Sequence, residues 1–454
     1  MASNMLDSLL FRNVFSTPEM REIFDDKTII QNWLDIEVAL AQTQAEMGII
    51  PKEAAEEITK KAKVENLDIA QIEQGINKIG HSLVPTLRNL QRICEGNYGE
   101  YIHLGPTTQD ILDTGFMMSI KKGFDIIYDD LRDVEQAIID LIDRYADTIM
   151  AGRTHGQQAI PISFGYKAAV WGSEVRRNIE RMKDCRKRCF VGQLSGAVGT
   201  MAGFGERAVE ISNQSLNKIG LDVPGIAWHS SRDRIAEIVS VLAMVSATLG
   251  KIGNEVCNLQ KTETSELAEG FVKGMVGSST MPHKRNPNAP EALQMLARLV
   301  KASMGATYES MFSEHERDGA LWKIEWKSAN EVVIMTGAAV VKAKKLLSNL
   351  TVDEKHMREN LDLLKGLMMS EPLMLALGDK IGKQTAHEII YEISMETFEQ
   401  DDSFLEKLLE NKIVRDNLSK EELMKILDPA GYTGQSSYFA HKVYDEIKAA
   451  RKND

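Results

Sequence analysis

Proline and aromatic residues are scarce in this sequence of 454 residues. Proline occupies 11 positions and the aromatic residues make up 6%, whereas methionine occurs 22 times. Sheet-rich chains depend on aromatic residues and on frequent turns, so this balance argues against a mainly β fold and favours helices. The length indicates roughly two to four domains of ordinary size. Hydrophobic residues make up 43%, which is enough for a large buried core.

Cysteine and long apolar runs are also scarce. Four cysteines, Cys94, Cys185, Cys189 and Cys257, are too few for a disulfide framework in a chain of this length. Cys185 and Cys189 lie one helical turn apart, but no second pair of cysteines or histidines nearby completes a zinc site. The N-terminus has no basic region followed by an apolar run, and no run of about 18 apolar residues occurs. We therefore expect a cytoplasmic protein without a signal peptide, a membrane span or a bound metal.

Positive charge is in deficit. The formal net charge is −12 at pH 7, and the isoelectric point is near 5.4. An acidic chain is poorly suited to bind nucleic acid or an anionic membrane, although a local basic pocket can still hold a small anion. The longest basic cluster, residues 183–188, is interrupted by Asp184 and Cys185 and is typical of a solvated helix face. We therefore expect a small-molecule substrate, and neither nucleic acid nor membrane as a partner.

The spacing of apolar residues predicts long helices. Apolar residues within 235–259 are separated by alternating steps of three and four, and a second stripe runs through 131–145. A sustained period of 3.5 is typical of a helix packed along a left-handed bundle. Prolines bound long proline-free segments, which predicts helices of roughly 25 to 35 residues separated by loops. We predict an all-α fold with three helical domains: an N-terminal domain over 1–104, a central long-helix bundle over 105–355, and a C-terminal domain over 356–454.

Three segments rich in glycine, threonine or serine interrupt the predicted helices. The first, residues 105–110, directly precedes a predicted helix, and hydroxyls with free backbone N–H groups at a helix N-terminus suit a carboxylate or a phosphate. Plain helix capping by Thr108 or Asp110 is the alternative. The second segment, residues 152–158, holds His155 on a polar loop where the imidazole could titrate near neutral pH. A purely structural hydrogen-bonding role is the alternative for this histidine.

The third segment, residues 277–287, reads Gly-Ser-Ser-Thr-Met-Pro-His-Lys-Arg-Asn-Pro. Its glycine spacing fits neither a Walker loop nor a nucleophile elbow. The run resembles the Gly-Ser-Ser-x-Met-Pro-x-Lys-x-Asn-Pro signature of the fumarase/aspartase superfamily, and the other two segments follow that family's order and spacing. The resemblance includes residues 196–200 and 314–317 and covers nearly the whole chain. It implies a homotetramer whose central helices form a twenty-helix bundle, with each active site built from three chains.

The resemblance also implies acid–base β-elimination without a metal or an organic cofactor. Ser278 matches the general base that removes the proton next to a carboxylate, His155 matches the general acid that protonates the leaving group, and Glu291 matches the carboxylate partner of that histidine. Lys284 and Asn286 match the residues that bind the substrate carboxylate and stabilise the charge developing on it. The remaining candidates for substrate binding are Arg12, His81, Thr107, Thr108, Gln109, Thr154, Gln193 and Ser279.

Two branches of this family are nearest, and the chain departs from both. Adenylosuccinate lyases carry Arg-His-Asp where this chain has Gly80-His81-Ser82, and Arg12 is followed by asparagine rather than tyrosine. Those enzymes also hold the nucleotide phosphate with a stretch that contains serine and arginine. Here that stretch, residues 319–326, contains two tryptophans and a glutamate, which suit a phosphate dianion poorly.

The second branch is 3-carboxy-cis,cis-muconate cycloisomerase, which residues 80–85, 228–234 and 322–326 resemble more closely. Bacterial cycloisomerases usually have Thr-Trp where this chain keeps Thr154-His155, and a retained general acid implies a leaving group that needs a proton. We therefore expect a fumarate-releasing C–N or C–S lyase that acts on a small succinyl adduct without a phosphate. S-succinyl-cysteine and an N-succinyl amino acid both fit. Adenylosuccinate lyase, the cycloisomerase and a catalytically inactive structural relative are the alternatives.

Overall fold

The computed structural model of this chain describes residues 4–271, 274 and 277–454. Within these residues nineteen α-helices and only two small two-stranded sheets are found, so the predicted all-α class is confirmed. The helices are α1 (Arg12–Phe15), α2 (Pro18–Ile23), α3 (Asp26–Glu46), α4 (Lys52–Lys61), α5 (Ile69–Ile79), α6 (Leu83–Ile93), α7 (Thr108–Tyr145), α8 (Phe164–Cys189), α9 (Ala208–Lys218), α10 (Asp233–Leu259), α11 (Asn288–Tyr308), α12 (Gly319–Ser348), α13 (Glu354–Asn360), α14 (Ser370–Ile381), α15 (Lys383–Gln400), α16 (Phe404–Glu410), α17 (Lys412–Asn417), α18 (Lys420–Ile426) and α19 (Ser436–Arg451). The strands are β1 (Ile149–Thr154), β2 (Gln157–Ser163), β3 (Leu267–Ala268) and β4 (Thr351–Val352).

Five long helices come from the middle of the chain. Helices α7, α8, α10, α11 and α12 contain 38, 26, 27, 21 and 30 residues. The predicted range of 25 to 35 residues is right for three of them, whereas α7 is longer and α11 is shorter. The proline-free segment after Pro290 holds two long helices rather than one. The chain leaves helical geometry between α11 and α12, where His315 adopts a φ of +53°, and no proline marks this break.

The apolar stripe of α10 is buried along its whole length. Each member is at most 2% exposed: Ile235, Ile238, Leu242, Val245, Leu249, Ile252, Val256 and Leu259. Burial of one such side chain stabilises the fold by about 1.5–3 kcal/mol. The sequence predicts no apolar run of this length, because serine, threonine and glycine interrupt the apolar positions of α10. These residues add no charge, so by length and composition α10 could also cross a membrane. In the structure 67% of its most apolar window is buried within the protein, as in a core helix.

The chain forms two compact units. The first combines Met1–Asp130, Asn178–Leu249 and Met295–Val341. One apolar cluster in this unit joins buried side chains of α3, α6, α7 and α9, among them Ile36 and Ile111, which are both 0% exposed. The first turn of α7 is therefore packed into an apolar core.

The second unit combines Leu131–Arg177, Gly250–Gln294 and Lys342–Asp454. Its C-terminal core packs α14 to α18 around the buried side chains of Leu373 and Phe404. The small sheets formed by β1 with β2 and by β3 with β4 also belong to this unit. The division into domains 1–104, 105–355 and 356–454 stays a prediction.

Candidate functional site

The first predicted segment forms the N-terminus of α7 in the first unit. The carboxylate of Asp110 accepts the backbone N–H of Thr107 at 2.9 Å, which is the bond from the third helical residue back to the cap. The same oxygen accepts the backbone N–H of Gly196 at 2.8 Å, and the other oxygen contacts Nε2 of His229 at 2.8 Å. Asp110 is fully buried. It therefore caps the helix and also holds segment 196–200 against it.

The two threonine hydroxyls at this helix end have other partners. His81 accepts the backbone N–H of Val84 at Nδ1, 3.2 Å away, so the neutral ring carries its proton on Nε2. That nitrogen donates to Oγ1 of Thr108 at 3.2 Å. Arg317 donates to Oγ1 of Thr107, also at 3.2 Å. The structure thus brings three of the predicted residues together, His81, Thr107 and Thr108, and adds an arginine.

Arg317 is a candidate that the sequence prediction missed. Besides Thr107, it donates to the side-chain oxygen of Gln109 at 2.7 Å and to the carbonyl of Ala197 at 2.9 Å. Its partners among the described residues are therefore neutral oxygens, and its positive charge is available to an anion at the end of α7. Segment 314–317 belongs to the family resemblance, which is the signal that could have pointed to this residue.

Gln109 and Gln193, both predicted to bind substrate, are 1% and 0% exposed. Gln109 donates through Nε2 to Oδ2 of Asp113 at 3.1 Å, and Gln193 donates to the same oxygen at 2.8 Å. The oxygen of Gln109 accepts from Arg317, and that of Gln193 accepts the backbone N–H of Trp228 at 2.9 Å. Both amides are hydrogen-bonded within the protein, which favours a positioning role over direct contact with a substrate.

A buried charge cluster surrounds these amides. Arg232 donates to both oxygens of Asp113 at 2.7 and 3.0 Å and forms a second fork with Glu325, one bond of which is 2.9 Å long. The three side chains are at most 1% exposed. Burial raises the pKa of Glu325, against the opposing effect of the arginine. Burial lowers the pKa of Arg232, but the two carboxylates outweigh it and raise that pKa overall.

The predicted aromatic stretch after Arg317 belongs to this cluster. The indole N–H of Trp322 donates to Oδ1 of Asp113 at 2.7 Å. Trp322 and Trp326 pack edge to face, with ring centroids 4.6 Å apart. The glutamate of the stretch, Glu325, is the partner of Arg232. This part of the chain therefore offers indole surfaces and a neutralised arginine.

The second predicted segment is the tip of a β-hairpin in the second unit, not a loop between helices. Strands β1 and β2 pair antiparallel with Thr154 opposite Gln157, so His155 and Gly156 form a two-residue turn. Their φ angles of +53° and +79° have the sign that a type I′ turn requires. Thr154 and His155 are exposed. The hairpin thus presents the imidazole at a defined tip.

The part of this hairpin next to the turn is anchored by an ion pair. Arg153 donates to the two carboxylate oxygens of Glu266 at 2.6 and 2.9 Å. Glu266 is fully buried, and Asn360 donates to it at 2.8 Å. Because the carboxylate has no access to water, these side chains supply its hydrogen bonds.

We expect Arg153→Met to lower the free energy of unfolding by about 3–5 kcal/mol, because it leaves Glu266 buried without its cation. The measurement is the urea denaturation midpoint, followed by circular dichroism. Lys355→Met is the control, since this lysine is 80% exposed in a surface pair and should change stability by less than about 0.5 kcal/mol. Equal losses in the two variants would contradict a buried anchor.

The signature segment, residues 277–287, also lies in the second unit. A Cβ on Gly277 would lie 2.4 Å from the carbonyl oxygen of Lys284, so the backbone approaches too closely for any side chain. Within the resulting turn, Oγ of Ser278 accepts the backbone N–H groups of Met281 at 3.1 Å and Thr280 at 3.4 Å. Two N–H donors directed at one hydroxyl oxygen favour negative charge on that oxygen.

The other predicted residues near this segment are spread along the second unit. Ser279 and Lys284 are exposed, Asn286 is half-buried, and Glu291 is exposed in the first turn of α11. Within the part of the chain that the structure describes, Glu291 and His155 make no hydrogen bond to each other. Their pairing stays a prediction.

Arg12 also belongs to the first unit. It is half-buried on the short helix α1 and lines a cavity of about 740 Å³ together with Arg21, Asp25 and Glu331. Burial, reinforced by the charge of Arg12, lowers the pKa of Arg21. The role of Arg12 in substrate binding stays a prediction.

One group among the described residues has the spacing of metal ligands, namely Cys185, Cys189 and Glu237, whose ligand atoms lie within 4.8 Å of one another. Glu237 already forms an ion pair with Arg188 and accepts a hydrogen bond from Cys189 at 3.4 Å. Hydrogen bonding with Cys185 and burial both raise the pKa of Cys189. The ion pair and the hydrogen bond therefore give this cluster partners within the protein.

Comparison with known proteins identifies the family. Residues 12–301 match the family described as Lyase, and residues 366–443 match the family described as Adenylosuccinate lyase C-terminus. The chain is 44% identical to N-acetyl-S-(2-succino)cysteine lyase of Dickeya dadantii over 96% of both chains. It is 38% identical to adenylosuccinate lyase of Methanocaldococcus jannaschii over 97% of this chain and 95% of that one.

A solved structure extends the likeness to the whole fold. The 3-carboxy-cis,cis-muconate lactonizing enzyme from Pseudomonas putida superposes with a TM-score of 0.92 at 32% identity, over 97% of this chain and 99% of that chain. The family and enzyme class predicted from the signature segment are confirmed. The chain belongs to the fumarase/aspartase superfamily and is a lyase.

Proposed function

We propose that this enzyme is a C–S lyase that releases fumarate from an S-(2-succino)cysteine derivative, with N-acetyl-S-(2-succino)cysteine as the first candidate. The observation that carries this proposal is the 44% identity, over 96% of both chains, to the Dickeya dadantii lyase named for that substrate. The proposal selects the thiol from the two leaving groups, amine and thiol, that the sequence leaves open.

The charge cluster in the first unit argues against a nucleotide substrate. Holding a phosphate dianion requires cations or hydrogen-bond donors that are free to contact it. Arg232 has two carboxylate partners, Asp113 and Glu325, and is 1% exposed on its side chain. Trp322 has its N–H directed at Asp113. A small acylated cysteine needs no phosphate site, so these features support the phosphate-free substrate over adenylosuccinate.

Ser278 is the proposed general base. It removes a proton from the carbon next to a carboxylate, the electrons of that C–H bond form the C=C bond of fumarate, and the C–S bond breaks with its electrons on sulfur. A serine hydroxyl is a weak base, so it must act as an alkoxide. The backbone N–H groups of Thr280 and Met281 that point at its oxygen support this role.

The other proposed residues stabilise the negative charge that develops on the departing sulfur and on the carboxylate next to the reacting carbon. His155 donates a proton to the departing sulfur, and Glu291 orients its ring in the assembled site. Lys284 and Asn286 bind the carboxylate next to the reacting carbon, where negative charge develops in the transition state. No metal or organic cofactor takes part in this proposal.

The second carboxylate of the succinyl group is proposed to bind at the end of α7. Thr107, Thr108 and Arg317 supply hydroxyl and guanidinium donors there, and Arg317 adds the only positive charge in this group. His81 holds the hydroxyl of Thr108 and stays a prediction as a substrate ligand. Thr154 and Ser279 are proposed to contribute further hydroxyls, and Arg12 a further cation. Gln109 and Gln193 stay predictions as substrate ligands, and their geometry favours positioning.

The proposed assembly is a homotetramer in the cytoplasm, in which three chains contribute the segments of each active site. Exposed polar residues such as His155, Lys284 and Glu291 support this arrangement, because a site on one chain alone would leave them in water. A closed site excludes water and strengthens the electrostatic interactions that elimination needs.

The test is the release of fumarate, followed by its ultraviolet absorbance, with separate additions of N-acetyl-S-(2-succino)cysteine, S-(2-succino)cysteine, an N-succinyl amino acid and adenylosuccinate. We expect kcat/KM for a sulfur-linked substrate to exceed that for adenylosuccinate by about 100-fold or more, since a site without phosphate donors leaves the phosphate desolvated and unpaired. Faster turnover of adenylosuccinate would overturn the proposal and identify the purine enzyme. Preference for the N-succinyl amino acid would instead make the enzyme a C–N lyase.

A further inference from the structure

Asp113 accepts hydrogen bonds from several side chains, although one arginine alone would balance its charge. Its two oxygens receive two bonds from Arg232 and one each from the side chains of Gln109, Gln193 and Trp322, with lengths between 2.7 and 3.1 Å. The residue is 1% exposed. Every one of these partners is a donor, so an acceptor-only carboxylate is the side chain that this position demands.

This carboxylate determines which way the amide of Gln109 faces. Because Asp113 can only accept, the nitrogen of Gln109 must point toward it, and that nitrogen also donates to the carbonyl of His229 at 2.9 Å. The amide oxygen is thereby turned to the opposite side, where it accepts from Nε of Arg317 at 2.7 Å. With Nε held, an Nη nitrogen of Arg317 reaches Oγ1 of Thr107.

We propose that Asp113 is a positioning residue for the elimination, and that through Gln109 it holds the guanidinium of Arg317 beside Thr107, where the guanidinium binds a carboxylate of the succinyl group. This inference rests on the proposed function, because it assigns a succinyl carboxylate to that end of α7. It adds a chain of hydrogen bonds from Asp113 through Gln109 to Arg317, which we call the relay. Asp113 and Gln109 are buried and do not contact the substrate in this proposal.

The neutral surroundings of Arg317 support a role in binding. An arginine whose partners are a hydroxyl, an amide oxygen and a backbone carbonyl keeps its full charge for a ligand, unlike Arg232 with its two carboxylates. A guanidinium binds a carboxylate through paired N–H groups, so its orientation matters as much as its charge. Loss of the Gln109 oxygen would free the guanidinium to rotate.

The experiment is a double-mutant cycle between Gln109→Met and Arg317→Lys, read from kcat, KM and the dissociation constant of fumarate by calorimetry. We expect Gln109→Met alone to raise KM and weaken fumarate about 10-fold with little change in kcat, the effect of one hydrogen bond to a charged group. Arg317→Lys should have a larger effect. Because lysine cannot form the fork that Gln109 orients, the double variant should bind fumarate no more weakly than Arg317→Lys alone.

Asn178→Leu is the matched control. Asn178 is also a buried amide, 2% exposed, which donates to the hydroxyl of Thr248 at 2.9 Å and accepts from Arg181 at 2.9 Å. A purely structural loss at this amide should lower the urea midpoint without raising KM. Asp113→Asn is the second test of the relay, because the new amide places a donor opposite the nitrogen of Gln109. This substitution should raise KM in the enzyme that keeps Arg317. It should cause no further rise of KM in the Arg317→Lys variant.

Multiplicative effects of Gln109→Met and Arg317→Lys, or an equal rise of KM in Asn178→Leu, would overturn the relay. Failure of the proposed function gives a different result, since the wild-type enzyme would then turn over none of the sulfur-linked substrates. The dissociation constants of fumarate would still measure the coupling between Gln109 and Arg317. A wild-type enzyme that neither turns over a succinyl adduct nor binds fumarate would overturn both.

Discussion

Ser278→Ala is expected to lower kcat for the sulfur-linked substrate by about 10³-fold or more, because it removes the proposed general base for the proton next to the carboxylate. The turn would stabilise an alkoxide at this position, since Ser278 accepts the N–H groups of Thr280 and Met281. KM should change little, as a hydroxyl that acts on the C–H bond contributes mainly in the transition state. The measurement is fumarate release at saturating substrate over a range of pH.

The control for this prediction is Ser403→Ala. Ser403 is also half-buried in the second unit and accepts the N–H of the residue three positions later, Glu406, at 3.4 Å. Its replacement removes the same kind of turn bond far from the signature sequence, with an expected loss of about 1 kcal/mol in stability and none in kcat. If Ser278→Ala kept a kcat within about 10-fold of wild type, the serine would be a turn residue and another base would be required.

The parts of the fold that could be predicted are those whose cause is local in sequence. The period of 3.5 within 235–259 specifies a buried helix face, and the structure buries every member of that stripe. The hairpin that carries His155 was harder to predict. The composition favoured helices throughout, although a His-Gly pair followed by strand-like residues is consistent with a two-residue turn of positive φ.

The relations that could not be predicted arise from packing between distant segments. Asp113 and Arg232 are 119 positions apart, and no spacing rule connects them before the helices are assembled. For the same reason the sequence predicted Gln109 and Gln193 in the substrate pocket without revealing that both amides are buried against one carboxylate. The sequence indicates a polar residue of functional interest at each position, but it does not indicate that residue's hydrogen-bond partner.

His155→Asn is expected to lower kcat by about 10²-fold for a sulfur-linked substrate and by a larger factor for a nitrogen-linked one. A thiolate is a tolerable leaving group, because a thiol has a pKa of about 8.5, whereas an amine cannot depart as its anion and must be protonated as the bond breaks. Asparagine is the substitution of choice, since this residue tolerates the φ of +53° that the turn imposes. The measurement is kcat for N-acetyl-S-(2-succino)cysteine and for its nitrogen-linked analogue with the same enzyme.

The comparison between the two leaving groups separates proton donation from a structural role. If the histidine places the hairpin correctly for the reaction but donates no proton, its replacement would lower kcat for both substrates by the same factor. If the turn needs no histidine at all, kcat would stay near wild type for both. His441→Asn, a substitution at an exposed histidine on α19 of the same unit, should leave both rates unchanged. A loss in His155→Asn that grows from the sulfur-linked to the nitrogen-linked substrate therefore identifies the imidazole as the acid that protonates the leaving atom.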